Sequence, residues 1–127
     1  MIVLDANVVI AFLDANDPHH AASLELLERH FVDGFGCSAL TLAEALVHPT
    51  RADRQDAALA SLTRIGVETI PLDASDAIGL ADVRSTYRLR MPDAVALFTA
   101  MQFGAQLATF DAALAAAAQQ AGVALAE

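Results

Sequence analysis

Several acidic side chains lie at positions where a carboxylate could take part in chemistry. Asp5 directly follows the apolar run of residues 1–4, and Asp111 directly follows the apolar stretch of residues 107–110. Asp93 lies in the first turn of another predicted helix. Each aspartate could simply cap a helix or complement its dipole. Two of the three follow predicted strands, which also allows them to gather at the ligand-binding edge of an α/β sheet.

Glu44 is the acidic residue that a purely structural role explains least well. It shares a helical stripe with Leu40 and Val47, which lie four residues before it and three residues after it. A glutamate that faces an apolar layer loses hydration, and this loss is unfavourable unless a partner compensates for it. Because the chain has few basic residues, a metal ion is the expected partner. An ion pair with an arginine stays open as the alternative.

Carboxylates gathered at one sheet edge would repel one another, and some of them would take up protons. A hard divalent cation removes that repulsion, because Mg²⁺ and Mn²⁺ prefer oxygen ligands and usually keep several waters. Such an ion polarises a phosphoryl group and lowers the pKa of a bound water. The acidic pattern therefore predicts a metal site suited to phosphodiester hydrolysis, formed by Asp5, Glu44, Asp93 and Asp111.

The elements that must position these side chains alternate between strand and helix along the whole sequence. The strand candidates are residues 1–4, 35–38, 67–70, 107–110 and 123–125. Helices are predicted to begin near residues 8 and 18 and to cover residues 39–48, 50–65, 73–90, 92–104 and 111–121. Pro49 is expected to stop the third of these helices. The alternation predicts an α/β fold with a parallel sheet, and the lack of any linker or repeat predicts a single domain over residues 1–127.

Composition excludes several classes of function. All seven basic residues are arginine, sixteen residues are acidic, and the net charge is −9. This balance is unlike that of a protein that holds duplex DNA on a broad basic surface. The absence of lysine excludes mechanisms that need one, and the single Cys37 excludes an internal disulfide framework. No window has the ~18 apolar residues of a membrane span, so the expected location is the cytoplasm.

Four motifs together resemble the PIN-domain ribonucleases, and in particular the VapC-type toxins of bacterial and archaeal toxin–antitoxin pairs. Two of them are Asp-x-Asn at the end of the first strand, with Asp5 and Asn7, and the helix-borne Glu44. The others are Met-Pro-Asp-Ala at residues 91–94 and Thr-x-Asp at residues 109–111 after a late strand. Their order and spacing make the resemblance specific, and it covers essentially the whole chain.

The resemblance implies a three-layer α/β/α sandwich around a parallel sheet, usually in a homodimer. The implied ligands of Mg²⁺ or Mn²⁺, bound directly or through water, are Asp5, Glu44, Asp93 and Asp111. Asn7 and Thr109 would orient those groups or the attacking water. The implied reaction is endonucleolytic cleavage of RNA that leaves a 5′-phosphate and a 3′-hydroxyl. The implied partner is a small antitoxin that inhibits the site, often with a basic side chain.

Some alternatives stay open at this point. The candidates for RNA contact are Arg51 and Arg54 after the Glu44 helix and Arg84, Arg88 and Arg90 before the Met-Pro-Asp motif. Each could equally lie on a solvated helix surface. The chain could also be a PIN-fold module that binds RNA or a partner without cleavage, or a stand-alone PIN nuclease without an antitoxin. A neighbouring gene for a small DNA-binding antitoxin would favour the toxin.

Overall fold

A parallel sheet of four short strands lies at the centre of the computed structural model, which describes residues 1–127. The strands are β1 (Ile2–Leu4), β2 (Phe35–Ser38), β3 (Val67–Ile70) and β4 (Gln106–Ala108). Their order across the sheet is β3-β2-β1-β4, and all pairs are parallel. Every residue of β1 and β2 is buried, as expected for apolar strands covered on both faces. The carboxyl ends of all four strands therefore meet at one edge.

Seven α-helices surround the sheet. They are α1 (Ala6–Leu13), α2 (His20–Arg29), α3 (Ala39–Arg51), α4 (Gln55–Arg64), α5 (Ala77–Tyr87), α6 (Met91–Phe103) and α7 (Ala112–Gln120). Ile2 and Leu4 belong to the core formed with α1 to α4, whereas Val3 belongs to the core formed with α5 to α7. Successive residues of β1 thus face two different helical layers. The predicted three-layer α/β/α sandwich with a parallel sheet is confirmed.

The helix after β2 does not end where the sequence predicted. Pro49 lies inside α3, which continues to Arg51, and the next helix begins at Gln55 rather than at residue 50. A proline in the last turn keeps its helical φ, so it does not by itself reverse the chain. The reversal occurs at Asp53, whose φ of 55° lies in the left-handed region. The prediction of a stop at Pro49 was therefore wrong.

Other boundaries also differ from the prediction. α5 begins at Ala77 rather than at residue 73, because Ala74–Asp76 forms a 3₁₀ turn. α5 ends at Tyr87 because Arg88 adopts a left-handed conformation, with φ of 54°. β4 ends at Ala108, and the two residues that follow it bond to the segment after β1 rather than to the sheet. The last strand candidate is reduced to a single bridge between Leu107 and Leu125. None of the helices has the length and apolar character of a membrane span.

Candidate active site

Asp5 lies at the carboxyl end of the central strand β1 and is only 6% exposed. It caps α1, because its Oδ1 accepts a hydrogen bond of 2.8 Å from the backbone N–H of Ala6. Its Oδ2 accepts a hydrogen bond of 2.7 Å from the Thr109 hydroxyl. Burial raises the pKa of Asp5 to about 6, and the nearby Asp93 and Asp111 contribute to the increase. The residue is therefore both a helix cap and a member of an acidic cluster.

The Thr109 hydroxyl ties the ends of β1 and β4 together. Its oxygen accepts hydrogen bonds from the backbone N–H of Asp111 at 3.0 Å and from the Asn7 side-chain amide at 3.3 Å. The Asn7 carbonyl oxygen in turn accepts a hydrogen bond of 3.2 Å from the backbone N–H of Phe110. Because two donors already point at the hydroxyl oxygen, its single proton is directed to Asp5. Asn7 and Thr109 thus fix the orientation of the Asp5 carboxylate.

Asp111 follows the end of β4 and caps α7. Its Oδ1 accepts hydrogen bonds from the backbone N–H groups of Ala113 at 2.9 Å and Leu114 at 3.4 Å. Its carboxylate also raises the pKa of both Asp5 and Asp93. Asp111 therefore combines a capping role with membership of the acidic cluster, as Asp5 does.

Asp93 is placed in the first turn of α6, where an acidic side chain complements the helix dipole. Its side chain is 16% exposed, and its Oδ2 lies 3.7 Å from the Nε of Arg90. Partial burial and Asp111 raise the pKa of Asp93, whereas Arg90 lowers it. The Asp93 carboxylate also raises the pKa of Asp5 and of Glu44. Asp93 is therefore the member that links the other three carboxylates electrostatically.

Glu44 lies in the middle of α3 and is half-buried. Partial burial and Asp93 raise its pKa, and Arg90 lowers it. The buried face of α3 is formed by Thr41 and Ala45, while Val47 is 47% exposed. The expectation that Glu44 shares an apolar stripe with Val47 was therefore wrong, because Glu44 lies at the margin of the packed face. Arg90 is the nearby cation that lowers its pKa, but the only ion pair of Arg90 is with Asp93.

The carboxylates have donor oxygens suited to a divalent cation, but they do not form a closed cage. No group of three or more His, Cys, Asp or Glu side chains lies close enough together to hold a metal ion. Burial and mutual repulsion nevertheless raise the pKa of Asp5, Glu44 and Asp93, with Arg90 as the cation that offsets the charge. An all-oxygen set with excess negative charge fits Mg²⁺ or Mn²⁺ that retains several waters between itself and the protein.

Of the five arginines that were candidates for RNA contact, the structure brings one, Arg90, to the carboxylates. Arg90 precedes α6 beside Asp93, and its side chain is 82% exposed. Arg51 ends α3 and Arg54 precedes α4. Both are exposed, and neither shifts the pKa of any of the four carboxylates.

Ser38 lies at the same edge and was not among the predicted site residues. It ends β2, is 1% exposed, and caps α3 by accepting a hydrogen bond of 3.1 Å from the backbone N–H of Thr41. Its hydroxyl donates to the Thr41 hydroxyl at 3.1 Å. A serine directly before a helical pattern is the signal that could have identified it. It anchors the helix that carries Glu44.

Solved structures of similar fold come from several bacteria. VapC20 of Mycobacterium tuberculosis, a sarcin-ricin loop cleaving toxin, is 21% identical, with a TM-score of 0.69 over 92% of this chain and 95% of that chain. A toxin–antitoxin complex from Klebsiella pneumoniae is 21% identical, with a TM-score of 0.69 over 87% of each chain. FitAcB from Neisseria gonorrhoeae is 22% identical, with a TM-score of 0.74 over 100% of this chain and 97% of that chain. No curated protein sequence matches significantly.

The family is established by the sequence as a whole. The model of the PIN domain matches residues 2–120, which include every strand and helix of the structure. Its match spans all four carboxylates together with Asn7 and Thr109. This chain belongs to the PIN domain family.

Proposed function

We propose that this protein is a divalent-metal-dependent endoribonuclease and the toxin of a toxin–antitoxin pair. The observation that carries the proposal is the electrostatic coupling of Asp5, Asp93 and Asp111 where β1, β4 and α6 meet. PIN-domain nucleases generally use divalent metal ions, which suits this excess of negative charge. The structures of similar fold include a toxin that cleaves the sarcin-ricin loop and a toxin–antitoxin complex, and both support this choice.

In this proposal the metal is Mg²⁺ or Mn²⁺, held directly or through water by Asp5, Glu44, Asp93 and Asp111. When bound, the ion supplies positive charge that offsets the phosphodiester charge and favours deprotonation of the attacking water. Removing the carboxylate protons is a condition for binding, because only the ionised groups are good ligands. Because burial raises the pKa of Asp5 to about 6, metal binding should strengthen as pH rises through that value.

The side chains around Asp5 would keep it in place through the reaction. The Thr109 hydroxyl donates to Asp5 Oδ2 at 2.7 Å, which leaves that carboxylate little freedom to rotate. Asn7 holds Thr109 and the backbone of Phe110, so the segment between β4 and α7 cannot move independently of α1. Groups held by such supporting hydrogen bonds need less reorganisation when substrate binds. Asn7 and Thr109 are therefore proposed as positioning residues.

Because the protein is strongly acidic, its contacts with RNA phosphates depend on few basic side chains. We assign Arg90 to the phosphate next to the cleaved bond, because it is exposed and lies beside Asp93. Arg51 and Arg54 are assigned to more distant phosphates, since both are exposed near the end of the Glu44 helix. With so few cations, RNA binding should be weak and dependent on salt.

The proposed protein partner is a small antitoxin, and the proposed assembly includes a homodimer of this chain. Arg90 already places a guanidinium 3.7 Å from Asp93, so a basic side chain of an inhibitor is compatible with this environment. The net charge of −9 also favours a basic partner.

Induced expression in a bacterial host tests the function. The wild-type chain is expected to arrest growth and to fragment cellular RNA, whereas Asp5→Asn and Asp93→Asn should do neither. Asp82→Asn is the matched control, because Asp82 is an exposed aspartate of α5 and its loss should leave toxicity intact. Equal toxicity of all four proteins would overturn the nuclease assignment. Binding of RNA without cleavage by the wild type would favour the non-catalytic module instead.

A further inference from the structure

A groove outside the acidic cluster is lined by two arginines. It has a volume of about 560 Å³ and lies between the end of α5 and the start of α6. Its lining residues are Ala81, Arg84, Ser85, Arg88, Leu89 and Met91. Two cations and a hydroxyl share this groove with three apolar side chains, in a chain that carries seven basic residues in all. The groove therefore concentrates positive charge in an acidic protein.

The Arg84 side chain forms one hydrogen bond to the backbone and no ion pair. Its Nε donates a hydrogen bond of 3.2 Å to the backbone carbonyl of Leu89, which fixes the plane of the guanidinium. Neither Arg84 nor Arg88 forms an ion pair with a carboxylate of this chain. The terminal nitrogens of Arg84 are thus available to an external acceptor, and guanidinium groups suit phosphate oxygens in particular.

Arg88 occupies a backbone conformation that glycine would adopt more easily. Its φ is 54°, and four of the six residues with positive φ in this chain are glycines. The left-handed region is unfavourable for a residue with a Cβ, so arginine at this position is conformationally less favourable than glycine would be. The strain points to a use for the side chain, which lines the groove rather than packing in the core.

The groove and the acidic cluster are neighbours in sequence, because residues 89–93 contribute to both. Met91 lines it and is the first residue of α6, and Asp93 lies in the same helical turn. Arg90, between the groove and Asp93, contacts the Asp93 carboxylate at 3.7 Å. The turn before α6 and the first residue of α6 thus line the groove, and the first turn of the same helix carries Asp93.

We propose that this groove binds the backbone of single-stranded RNA on one side of the cleaved bond. Arg84 and Arg88 would contact phosphate oxygens, and Leu89 and Met91 would lie against a sugar or base. The proposal rests on the proposed ribonuclease function and adds to it a second contact region that sets how substrate is held. These arginines act in binding and not in the chemical step.

The test compares variants matched in type and position. Arg84→Gln is compared with Arg64→Gln, because both arginines are exposed in the last turn of a helix. Arg88→Gly is compared with Asp53→Gly, because both residues have a left-handed backbone. Binding of a fluorescent single-stranded RNA is measured in EDTA at several salt concentrations, and cleavage is measured with Mg²⁺.

Arg84→Gln and Arg88→Gly should each raise the dissociation constant and KM about fivefold with kcat unchanged. Each should reduce the slope of log K against log salt by about 0.7. Arg88→Gly should not lower the melting temperature, which separates lost binding from lost folding. The two controls should match the wild type.

Two results would overturn the proposal while leaving the ribonuclease function in place. One is cleavage by Arg84→Gln and Arg88→Gly with wild-type KM. The other is unchanged RNA binding together with weaker binding of a protein partner, which would assign the groove to that partner. If the wild type neither binds nor cleaves RNA, the proposed function and this inference both fail.

Discussion

Asp5 shows how a single side chain can stabilise local structure and still be unfavourable in its charged form. Its two oxygens accept hydrogen bonds from Ala6 and Thr109, which favours the carboxylate. Burial nevertheless dominates and raises its pKa from 3.8 to about 6. The native protein therefore binds more protons than the unfolded chain between these values, and its stability falls as pH rises from about 4 to 6. The loss is about 3 kcal/mol above that window.

Asp5→Asn should therefore stabilise the metal-free protein at neutral pH. Removal of the charge recovers about 3 kcal/mol, and an amide that cannot accept both hydrogen bonds loses about 1 to 2 kcal/mol. The free energy of unfolding, measured with urea in EDTA, should rise by about 1 to 2 kcal/mol at pH 8. The advantage should disappear below pH 4. Asp82→Asn should show no such pH dependence, and an Asp5→Asn variant no more stable than wild type at pH 8 would contradict this account.

Thr109→Val tests the hydroxyl that links β1 to β4. Valine keeps the shape of threonine but removes the donor to Asp5 and the acceptor for the Asp111 N–H. The unfolding free energy should fall by about 1 to 3 kcal/mol. Because the Thr109 hydrogen bond lowers the Asp5 pKa, an NMR titration should find that pKa above 6 in the variant. Thr109→Ser should keep the wild-type pKa, and an unchanged pKa in Thr109→Val would refute the link.

At the scale of elements, α6 carries Asp93 and packs closely against α5. A Cβ at Gly79 of α5 would lie 2.6 Å from Cε1 of the Phe98 ring of α6, which is too close for any side chain. Gly79 therefore sets the separation of the two helices. The groove lined by Arg84 and Arg88 lies further along α5 and includes Met91, the first residue of α6.

Gly79→Ala should destabilise the protein by about 1 to 3 kcal/mol, measured by urea unfolding. Helix propensity alone predicts the opposite sign, because alanine is favoured over glycine by about 1 kcal/mol. Gly79→Ala should lower the free energy of unfolding less in a Phe98→Leu background than in the wild type, because leucine leaves more room for the new methyl group. A more stable Gly79→Ala protein would show that the helices move apart freely.

The sequence predicted strands and their order of appearance better than it predicted helix ends. Residues 35–38 and 67–70 form strands as predicted, because each is a short apolar or alternating run bounded by glycine or proline. Two helix ends were missed because Asp53 and Arg88 take left-handed conformations that their residue types do not announce. The end of β4 was missed because Thr109 and Phe110 bond to Asp5 and Asn7, which are distant in sequence.

The location of the candidate site at the sheet edge was predictable from the sequence, but its hydrogen bonds and the depth of Glu44 were not. Asp5 and Asp111 follow parallel strands that are neighbours in the sheet, so their proximity follows from the strand pattern once β1 pairs with β4. The Thr109 hydrogen bonds depend on that register, which no local pattern specifies. The position of Glu44 at the margin of the buried face depends on how α3 packs against α1 and α6, and the sequence period alone placed it too deep.

At the scale of the whole molecule, both the net charge and the acidic cluster leave negative charge uncompensated. A chain with a net charge of −9 collects several of its carboxylates at one sheet edge and offsets them with one arginine, Arg90. Self-repulsion of this kind is unfavourable for the compact state. A bound divalent cation would relieve it and would also let an acidic protein meet the phosphates of RNA.

Cleavage of a defined single-stranded RNA by purified protein tests this account most directly. The wild type should cleave with Mg²⁺ or Mn²⁺ and leave 5′-phosphate ends, and EDTA should abolish the reaction. Asp93→Asn, which removes the carboxylate that links the cluster, should reduce kcat/KM by about 100-fold or more, while Asp82→Asn should not. Cleavage that persists in EDTA, or equal cleavage by Asp93→Asn, would contradict a metal-dependent site at these carboxylates.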